Sequence, residues 1–442
     1  MTKIKFILFL LLIICISCKK DTKINSSIPT NSSNLRSKFK DTLVTYSTNN
    51  SNQPFASYCN ASNSFYIVQK SAGTQFYLYK CDQEINLIYS KIINLGSDSL
   101  MEIKASNQED AFYTLTGTNN FNNSNPFYIN AYVFNINSDS INNCTPKVAD
   151  YVYQNAFNAN GENKGANYSI LNKFDGQGNL LWAKQLDGNY NKQHSIETDV
   201  NGNIYVLAAN RYPFRPKLNS AYTTSLAPYY DFVNDSNSFS IYKFDISGNQ
   251  IFKRTITNIK ETIQRQFSPA LSLSKSNILI TNFNNFFVFD LNGNLLSQNK
   301  PISNICYNYI NNAITNPYID NIFINGILNY SNSNSSNNLG YLAKLNGSIP
   351  LIVTQSNNLY YNFSIIDNLQ SIYLADDFTN FLTKIDNNAN IVYANKPLFD
   401  APYYFGLPKK STIVDVNNSL YSFVNRLNGI AVYKFDSNGN FN

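Results

Sequence analysis

The sequence predicts an all-β fold assembled from one repeated unit, and three observations carry that prediction. Of 442 residues, 43% are hydrophobic and only 14% charged, with 32 Tyr and 31 Phe against two Met and one Trp; this weighting suits half-buried, pleated strands. A short motif, Lys-Phe-Asp leading into a Gly-Asn turn, recurs along the chain. A second motif, a polar turn running into a short β segment, precedes each copy of the first. Asn is the most frequent polar residue. It rises together with Ile, Tyr and Phe while Arg, Trp and His fall, the pattern of an A- and T-rich gene rather than of a dedicated Asn surface.

From the N-terminus, Lys3 and Lys5 precede an apolar run from Phe6 to Ile16. That run is too short to span a bilayer as a helix and matches the hydrophobic region of a secretory signal. The residues that follow, Cys15-Ile16-Ser17-Cys18, resemble the lipobox of bacterial lipoproteins, in which a small residue stands before the Cys that becomes the acylated N-terminus. Cys18 fits that place. Cys15 does not, because Ile14 before it is too bulky; Cys15 itself stands where such lipoboxes usually carry Leu.

The resemblance implies a signal peptide over 1–17, cleavage between Ser17 and Cys18, and a Cys18 carrying diacylglycerol and an amide-linked acyl chain of the palmitate kind. Several buried acyl chains, each worth about 0.8 kcal/mol per CH₂, anchor a protein to a bilayer effectively for good. The expected location is the outer membrane, on its periplasmic or cell-surface side. Residues 18–40, rich in Ser, Asn, Thr and Lys, read as a flexible tether with an r.m.s. reach of roughly 25 Å. The globular body is expected over 41–442.

The net charge of +6 belongs to this leader. Eight of the 34 Lys and Arg lie in the first 40 residues against one acid, Asp21, which leaves 26 bases (34 less eight) and 27 acids (28 less one) in the body. A near-neutral body gives no basic groove, so nucleic acid is not an expected partner.

Within the body, the first motif is clearest at Lys173-Phe174-Asp175-Gly176-Gln177-Gly178-Asn179, Lys243-Phe244-Asp245-Ile246-Ser247-Gly248-Asn249 and Lys434-Phe435-Asp436-Ser437-Asn438-Gly439-Asn440; Val288 to Asn294 keeps all but the Lys. Alternation along a strand puts the Phe in a core and the Lys outside. The Asp then opens a turn whose backbone it can accept from, and the Gly takes the left-handed position before the next strand. Looser copies stand at Lys80-Cys81-Asp82, Val133-Phe134-Asn135, Lys344-Leu345-Asn346 and Lys384-Ile385-Asp386, the last with Ala389 in place of the Gly. The second motif is clearest at Asp199 to Val206, Asp367 to Leu374 and Asp415 to Phe423, with looser partners around Tyr66, Tyr113, Val152, Leu279 and Phe323.

Pairing the two motifs gives eight units, with the first-motif Asp or Asn at 82, 135, 175, 245, 290, 346, 386 and 436. The mean spacing of about 51 residues is the size of a four-stranded propeller blade. The pair D-x-x-G-N-x-Y-V and K-[FL]-D-x-x-G-N resembles the bacterial β-propeller repeats of the SBBP and NHL kind over most of residues 55 to 442. The expected architecture is a single closed β-propeller of eight four-stranded blades, with seven as the alternative. Its last blade lacks an outer strand, which an N-terminal segment such as Thr42 to Ser47 can supply, so that no edge is left open between first and last blades.

Candidate chemistry is sparse. His194 is the only His, which excludes multi-His zinc sites; it falls after an outer strand ending near Leu186 and reads as a solvated loop residue. Asp199-x-Asn201-x-Asn203 alternates oxygen ligands but has Ile204 and Asn210 where a calcium loop needs Gly and Glu, so it reads as a turn. Cys59, Cys81, Cys144 and Cys306 permit disulfides in an exported chain, although Cys81 occupies a core position of the motif and reads as a buried thiol. Trp182, a lone Trp, reads as packing between blades rather than as part of a quinone site.

No catalytic residue, metal ligand or cofactor site is expected. The segment from Ala209 to Phe239 is long for a connection and rich in aromatics, with Tyr212, Phe214, Tyr222, Tyr229 and Tyr230. Tyr offers contact area at low entropy cost, so this loop is the candidate binding element. The expected protein is a monomeric, lipid-anchored, non-catalytic binding or scaffold module for a protein or glycan. The alternatives are a periplasmic scaffold for outer-membrane protein assembly and a metal-dependent lactonase-like or lyase-like propeller enzyme, whose metal would be held by acids around the central channel.

Overall fold

The structure is a computed structural model that describes Leu43–Val44 and most of residues 54–440. Outside the described residues lie 1–42, 45–53, the connections 118–168 (apart from a two-residue strand pair at Phe127–Tyr128 and Ala156–Phe157), 211–236, 260–269, 300–307 and 398–411, and shorter gaps. The signal, Ser17, Cys18 and the tether therefore fall outside it, as do Cys144, Cys306 and the aromatic residues Tyr212, Phe214, Tyr222, Tyr229 and Tyr230. Among the described residues no helix is long and apolar enough to cross a membrane.

Every described element is a strand, and seven four-stranded antiparallel sheets form. Blade 1 comprises Phe55–Cys59, Ser64–Lys70, Gln75–Asp82 and Leu87–Asn94; blade 2 Ser99–Ala105, Ala111–Gly117, Ser169–Asp175 and Leu180–Leu186; blade 3 Tyr190–Thr198, Ile204–Asn210, Asn237–Phe244 and Gln250–Ile259. Blade 4 comprises Ala270–Leu273, Asn277–Asn282, Asn285–Asp290 and Leu295–Asn299; blade 5 Asn308–Thr315, Ile322–Asn332, Ser335–Asn346 and Ile349–Asn357; blade 6 Tyr361–Ile366, Ile372–Asp376, Phe381–Ile385 and Ile391–Pro397. Blade 7 takes Thr412–Val414, Leu420–Arg426 and Gly429–Phe435 from the C-terminal end and Leu43–Val44 as its fourth strand.

The first strand of each blade lies against the first strand of the next, and that of blade 7 against that of blade 1. The sheets therefore close into a ring about an axis lined by first strands: a seven-bladed β-propeller. Closure by an N-terminal segment is as expected, with Leu43 opposite Ile430 and Val44 opposite Gly429.

The expected count of eight is corrected to seven. The Tyr113 strand does not pair with the segment around Asn135. It pairs over its whole length with the strand of Lys173 and Phe174, in the register Phe112 to Phe174 and Tyr113 to Lys173. The half-repeats around Asn135 and Val152 thus fall in the connection between the second and third strands of blade 2. Half-repeats that neighbour one another in sequence are not always neighbours in a sheet, because a 51-residue insertion (118–168) separates the second and third strands of blade 2.

Blades pack face to face through large apolar side chains. Cys59, Tyr66, Leu78 and Ile93 of blade 1 meet Leu100, Ile103, Phe112 and Phe174 of blade 2. At the ring junction, Phe65, Ile67 and Tyr79 of blade 1 meet Tyr421, Phe423 and Val432 of blade 7. Each blade is covered on both faces by its neighbours, so its middle strands are buried on both sides; Ala111–Gly117 is buried at every position. Burial of this kind, at about 25 cal/mol per Å² of apolar surface, is the main term holding the disc together. Cys59 and Cys81 are buried free thiols, and burial pushes the Cys81 thiol up to about 12, the inert state expected of it.

Candidate functional site

The Asp of both motifs does the same local work. In Asp175-Gly176-Gln177-Gly178-Asn179, one carboxylate oxygen accepts the N–H groups of Gln177 and Asn179 at 2.9 and 2.8 Å, while the other accepts the Asn179 side-chain amide at 2.9 Å. Asp199, Asp290, Asp386 and Asp436 repeat all three bonds. Asp82 in blade 1 does so as well. This is the turn read from the motif, and at Asp199 the same three donors close it.

These bonds hold the Asp175, Asp245, Asp290 and Asp386 carboxyls below their ordinary range, against whatever desolvation raises them. A depressed folded-state value means stability present above the unfolded value and lost as pH falls through the folded one. Titration of the unfolding midpoint is therefore expected to show a plateau near neutrality and a decline starting at about pH 4. A midpoint unchanged down to pH 2.5 would contradict the assigned turn bonds.

The motif Lys is not outside. Lys80, Lys173 and Lys384 are 7%, 5% and 5% exposed. Alternation misled here because a propeller strand has a neighbouring blade on each face, so both sets of side chains are inside. In blades 1, 2, 3, 6 and 7 the motif Lys sits directly across from an aromatic of the second strand: Lys80 over Tyr66, Lys173 over Tyr113, Lys243 over Tyr205, Lys384 over Tyr373 and Lys434 over Tyr421, with Nζ 4.7 to 5.8 Å from the ring centre.

The ammonium then reaches the next blade. Lys80 donates to the Gly176 carbonyl, Lys173 to Ile246, Lys243 to Leu291 and Lys384 to Ser437, at 2.8 to 3.2 Å, and each acceptor is the residue after the turn Asp. An acid completes the set: Asp110 for Lys80 at 2.6 Å, Glu109 for Lys173 and Asp367 for Lys384 at 3.2 Å. Burial, with the facing carboxylate, pushes the hydroxyls of Tyr66, Tyr205, Tyr373 and Tyr421 well above their ordinary value. The charged residues of the repeat thus latch one blade to the next, each cation–π contact worth about 0.5–2 kcal/mol.

Blade 4 has Leu279 and Val288 at the paired Tyr and Lys positions and Ser274 where blade 6 has Asp367. All three members change together to uncharged residues.

A different group of residues converges on the axis, and none was singled out from sequence. At the end of the channel bordered by the turns between first and second strands, Asn60 of blade 1 donates to Asn107 of blade 2. Asn107 in turn donates to the Thr198 and Asp199 carbonyls of blade 3. On the other side Asn316 of blade 5 donates to Asn368 of blade 6, whose N–H donates to Asn418 of blade 7. The Tyr318 hydroxyl of blade 5 bridges the two arcs, accepting from Asn60 at 2.9 Å.

On the first strands, Lys104 of blade 2 pairs with Glu197 of blade 3 at 2.5 Å, and Glu102 accepts the Ile196 N–H at 3.1 Å. Burial pulls Lys104 down, but Glu197 and Glu102 outweigh it and hold the ammonium above its ordinary value. One end of the axis is thus crossed by a tyrosine and asparagine collar, beside a half-buried charged cluster. His194 stands on the same ring of strands, paired with Ala208, and not in the loop expected. No group of three or more His, Cys, Asp and Glu side chains that could hold a metal ion forms among the described residues.

Trp182 packs between blades as expected: a Cβ built on Gly248 of blade 3 would come within 2.9 Å of the indole. The turns between first and second strands and between third and fourth strands all lie on one face of the disc. The connections between second and third strands, including 118–168 and 211–236 in the adjacent blades 2 and 3, leave from the other.

No family model and no curated protein matches this chain. Among solved structures it is similar to the Pan2 WD40 domain of Neurospora crassa, at 9% identity over 86% of this chain and 88% of that one, with a TM-score of 0.48. It is similar also to the acylaminoacyl peptidase of Pyrococcus horikoshii, at 9% identity and a TM-score of 0.45, covering 88% of this chain and 52% of that one. A Bacteroides caccae protein of unknown function matches at 12% identity over 79% of this chain and 96% of that one, with a TM-score of 0.35. The propeller assignment rests on the sheet topology itself.

Proposed function

We propose that this protein is a lipid-anchored envelope module that binds a protein or glycan non-catalytically, through the face from which the connections 118–168 and 211–236 leave. The observation that carries the reading is the division of labour between the two faces. The repeat's Asp residues are taken up by turns and its Lys and Tyr residues by blade-to-blade latches, which assigns that recurring chemistry to structure. The two longest connections, one with the aromatic set Tyr212, Phe214, Tyr222, Tyr229 and Tyr230, leave from adjacent blades on the opposite face, where a rigid scaffold commonly displays its binding loops. A role in outer-membrane protein assembly uses the same face and differs only in partner.

The test replaces residues 212–235 by a short Gly-Ser linker, which spares the strands Ile204–Asn210 and Asn237–Phe244. Wild type and variant are presented, side by side, with purified envelope glycans and with purified β-barrel proteins of the same envelope. The expected result is retention of one class by wild type, loss in the variant, and an unfolding midpoint within about 0.5 kcal/mol of wild type, as for a surface change. Equal retention by both proteins would overturn the assignment of the loop. In parallel, Cys18→Ala is expected to abolish incorporation of labelled palmitate and to move the protein from the membrane to the soluble fraction; a membrane-bound Cys18→Ala variant would remove the lipid anchor from the reading.

A further inference from the structure

The fourth strand of each blade is the outermost of its sheet, and among the described residues it pairs on one side only, with the third strand. Such an edge leaves a row of backbone donors and acceptors open to any extended chain, and proteins guard it with Lys, Arg, Pro or a very short strand. Blades 1, 2 and 3 carry such a guard: Leu87–Asn94 has Lys91, Leu180–Leu186 has Lys184, and Gln250–Ile259 has Lys253 and Arg254. Blades 5 and 6 do as well, with Pro350 in Ile349–Asn357 and with Lys396 and Pro397 in Ile391–Pro397. In blade 7 the outer strand, Leu43–Val44, is two residues long. Blade 4 has no guard within its outer strand, Leu295–Asn299, which reads Leu-Leu-Ser-Gln-Asn.

Exposed aliphatics alone do not set blade 4 apart, since Leu87, Ile88, Leu180 and Leu181 are exposed as well. The missing guard does. Leu295 and Leu296 are 47% and 59% exposed, and adjacent residues of a strand point to opposite faces, so one flanks the open edge on each side. The four strands of blade 4 hold a single charged residue, Asp290, whose carboxylate is taken up by its own turn.

The occupant can be narrowed by size and by charge. Two convex rims that meet along a five-residue strand bury far less than the roughly 800 Å² per partner of a stable interface, which argues against a second copy. The Arg254 side chain of blade 3 lies along the turn that leads into Leu295, because a Cβ built on Gly293 would come within 2.9 Å of its Cγ. Among the described residues no carboxylate pairs with Arg254, so the start of this edge presents a positive charge.

We propose that Leu295–Asn299 is a strand-addition site, at which an extended segment of a partner protein pairs with the open edge of blade 4. The segment is aliphatic at alternate positions, otherwise uncharged, and carries an acid at the end that meets Arg254. Main-chain hydrogen bonds supply the affinity and the side chains the selectivity. Pairing is antiparallel, as throughout the blade, which makes the acidic end C-terminal because Leu295 opens the strand. The site lies on the rim and does not depend on the connections 118–168 and 211–236.

The test titrates a dye-labelled peptide, Val-Thr-Val-Thr-Val-Asp, against the full chain by fluorescence anisotropy and reads hydrogen exchange with and without it. Saturating peptide is expected to slow exchange within Leu295–Asn299 about ten-fold while the outer strands of blades 1, 2 and 6 are unchanged. Leu296→Lys, which supplies the missing guard at an exposed position, is expected to weaken binding about ten-fold. Arg254→Gln is expected to weaken the Asp-ended peptide about three-fold, as for an exposed ion pair, and to leave a Val-Thr-Val-Thr-Val-Asn peptide unaffected. Absence of saturable binding, equal binding by Leu296→Lys, or protection on the outer strand of another blade would overturn the proposal. So would protection of Leu295–Asn299 that grows with protein concentration when no peptide is present, since a second copy would then hold the edge.

Discussion

Replacing Lys384 by Met is expected to destabilise the protein by about 3–5 kcal/mol, the cost of breaking a buried ion pair from one side. The Lys384 ammonium sits 3.2 Å from Asp367, whose side chain is 0% exposed, and donates to the Tyr373 hydroxyl at 2.9 Å and to the Ser437 carbonyl of blade 7 at 2.8 Å. Met matches the aliphatic stem but leaves a carboxylate, a hydroxyl and a carbonyl buried with their donor removed. Urea unfolding reads the loss as a lower midpoint at unchanged slope. Blade 4 supplies the control, since it carries Ser274, Leu279 and Val288 in the three equivalent places. The triple variant Asp367→Ser, Tyr373→Leu, Lys384→Val removes every member together, and replacing a buried ion pair by apolar groups is often close to neutral. It is expected to recover more than half of the loss. A single Lys384→Met variant within about 1 kcal/mol of wild type would show that the latch contributes little.

Gly248→Ala is expected to cost about 2–5 kcal/mol, from two sources that can be separated. The residue has φ +85°, where a Cβ costs roughly 1–2 kcal/mol. That same Cβ would stand 2.9, 3.1 and 3.2 Å from three atoms of the Trp182 indole, an overpacking of the kind that costs about 1–3 kcal/mol. In a Trp182→Leu background the second source disappears and only the backbone cost should remain. Thermal or urea unfolding of the two singles and the double gives the coupling directly. Strict additivity of the two substitutions would mean that the indole yields freely and that the close approach is not a constraint.

The parts of this fold that were legible in the sequence are those whose cause is local. The Asp turn is written within five residues, because the carboxylate, the amides that it caps and the left-handed residue are all neighbours. The burial of Phe174 and Phe244, the interblade place of Trp182 and the closing role of a segment near Thr42 followed from the same repeat. What failed was non-local. The insertion 118–168 separates the paired strands of Tyr113 and Lys173, so counting half-repeats in order produced one blade too many. The burial of Lys80, Lys173 and Lys384 was invisible to alternation, since the second covering face belongs to another blade. Asn60 and Asn107 stand 47 residues apart, and Asn316, Asn368 and Asn418 52 and 50 apart, close to the length of one blade, but in a chain so rich in Asn that spacing does not stand out; Tyr318, Lys104 and Glu197 come to the axis only through the curvature of the ring. A second hint lay in the Lys opposite a Tyr in five blades, a pairing that shows once two strands are laid side by side.

The pairing of Leu43 with Ile430 also sets an order of events during synthesis. Chains emerge N-terminus first and commonly fold unit by unit as they do so. Blades 1 to 6 are each made from consecutive stretches of chain and can assemble in turn behind the ribosome. The seventh blade cannot, because its outer strand is made before blade 1 and its other three after blade 6. Until blade 7 is made, a growing arc carries an uncovered flank at each end, and the apolar faces of Phe65 and Tyr79 at one of them wait for Tyr421 and Phe423. The interval between completion of blade 6 and the meeting of the two ends is therefore the stretch of assembly in which those apolar faces stay uncovered.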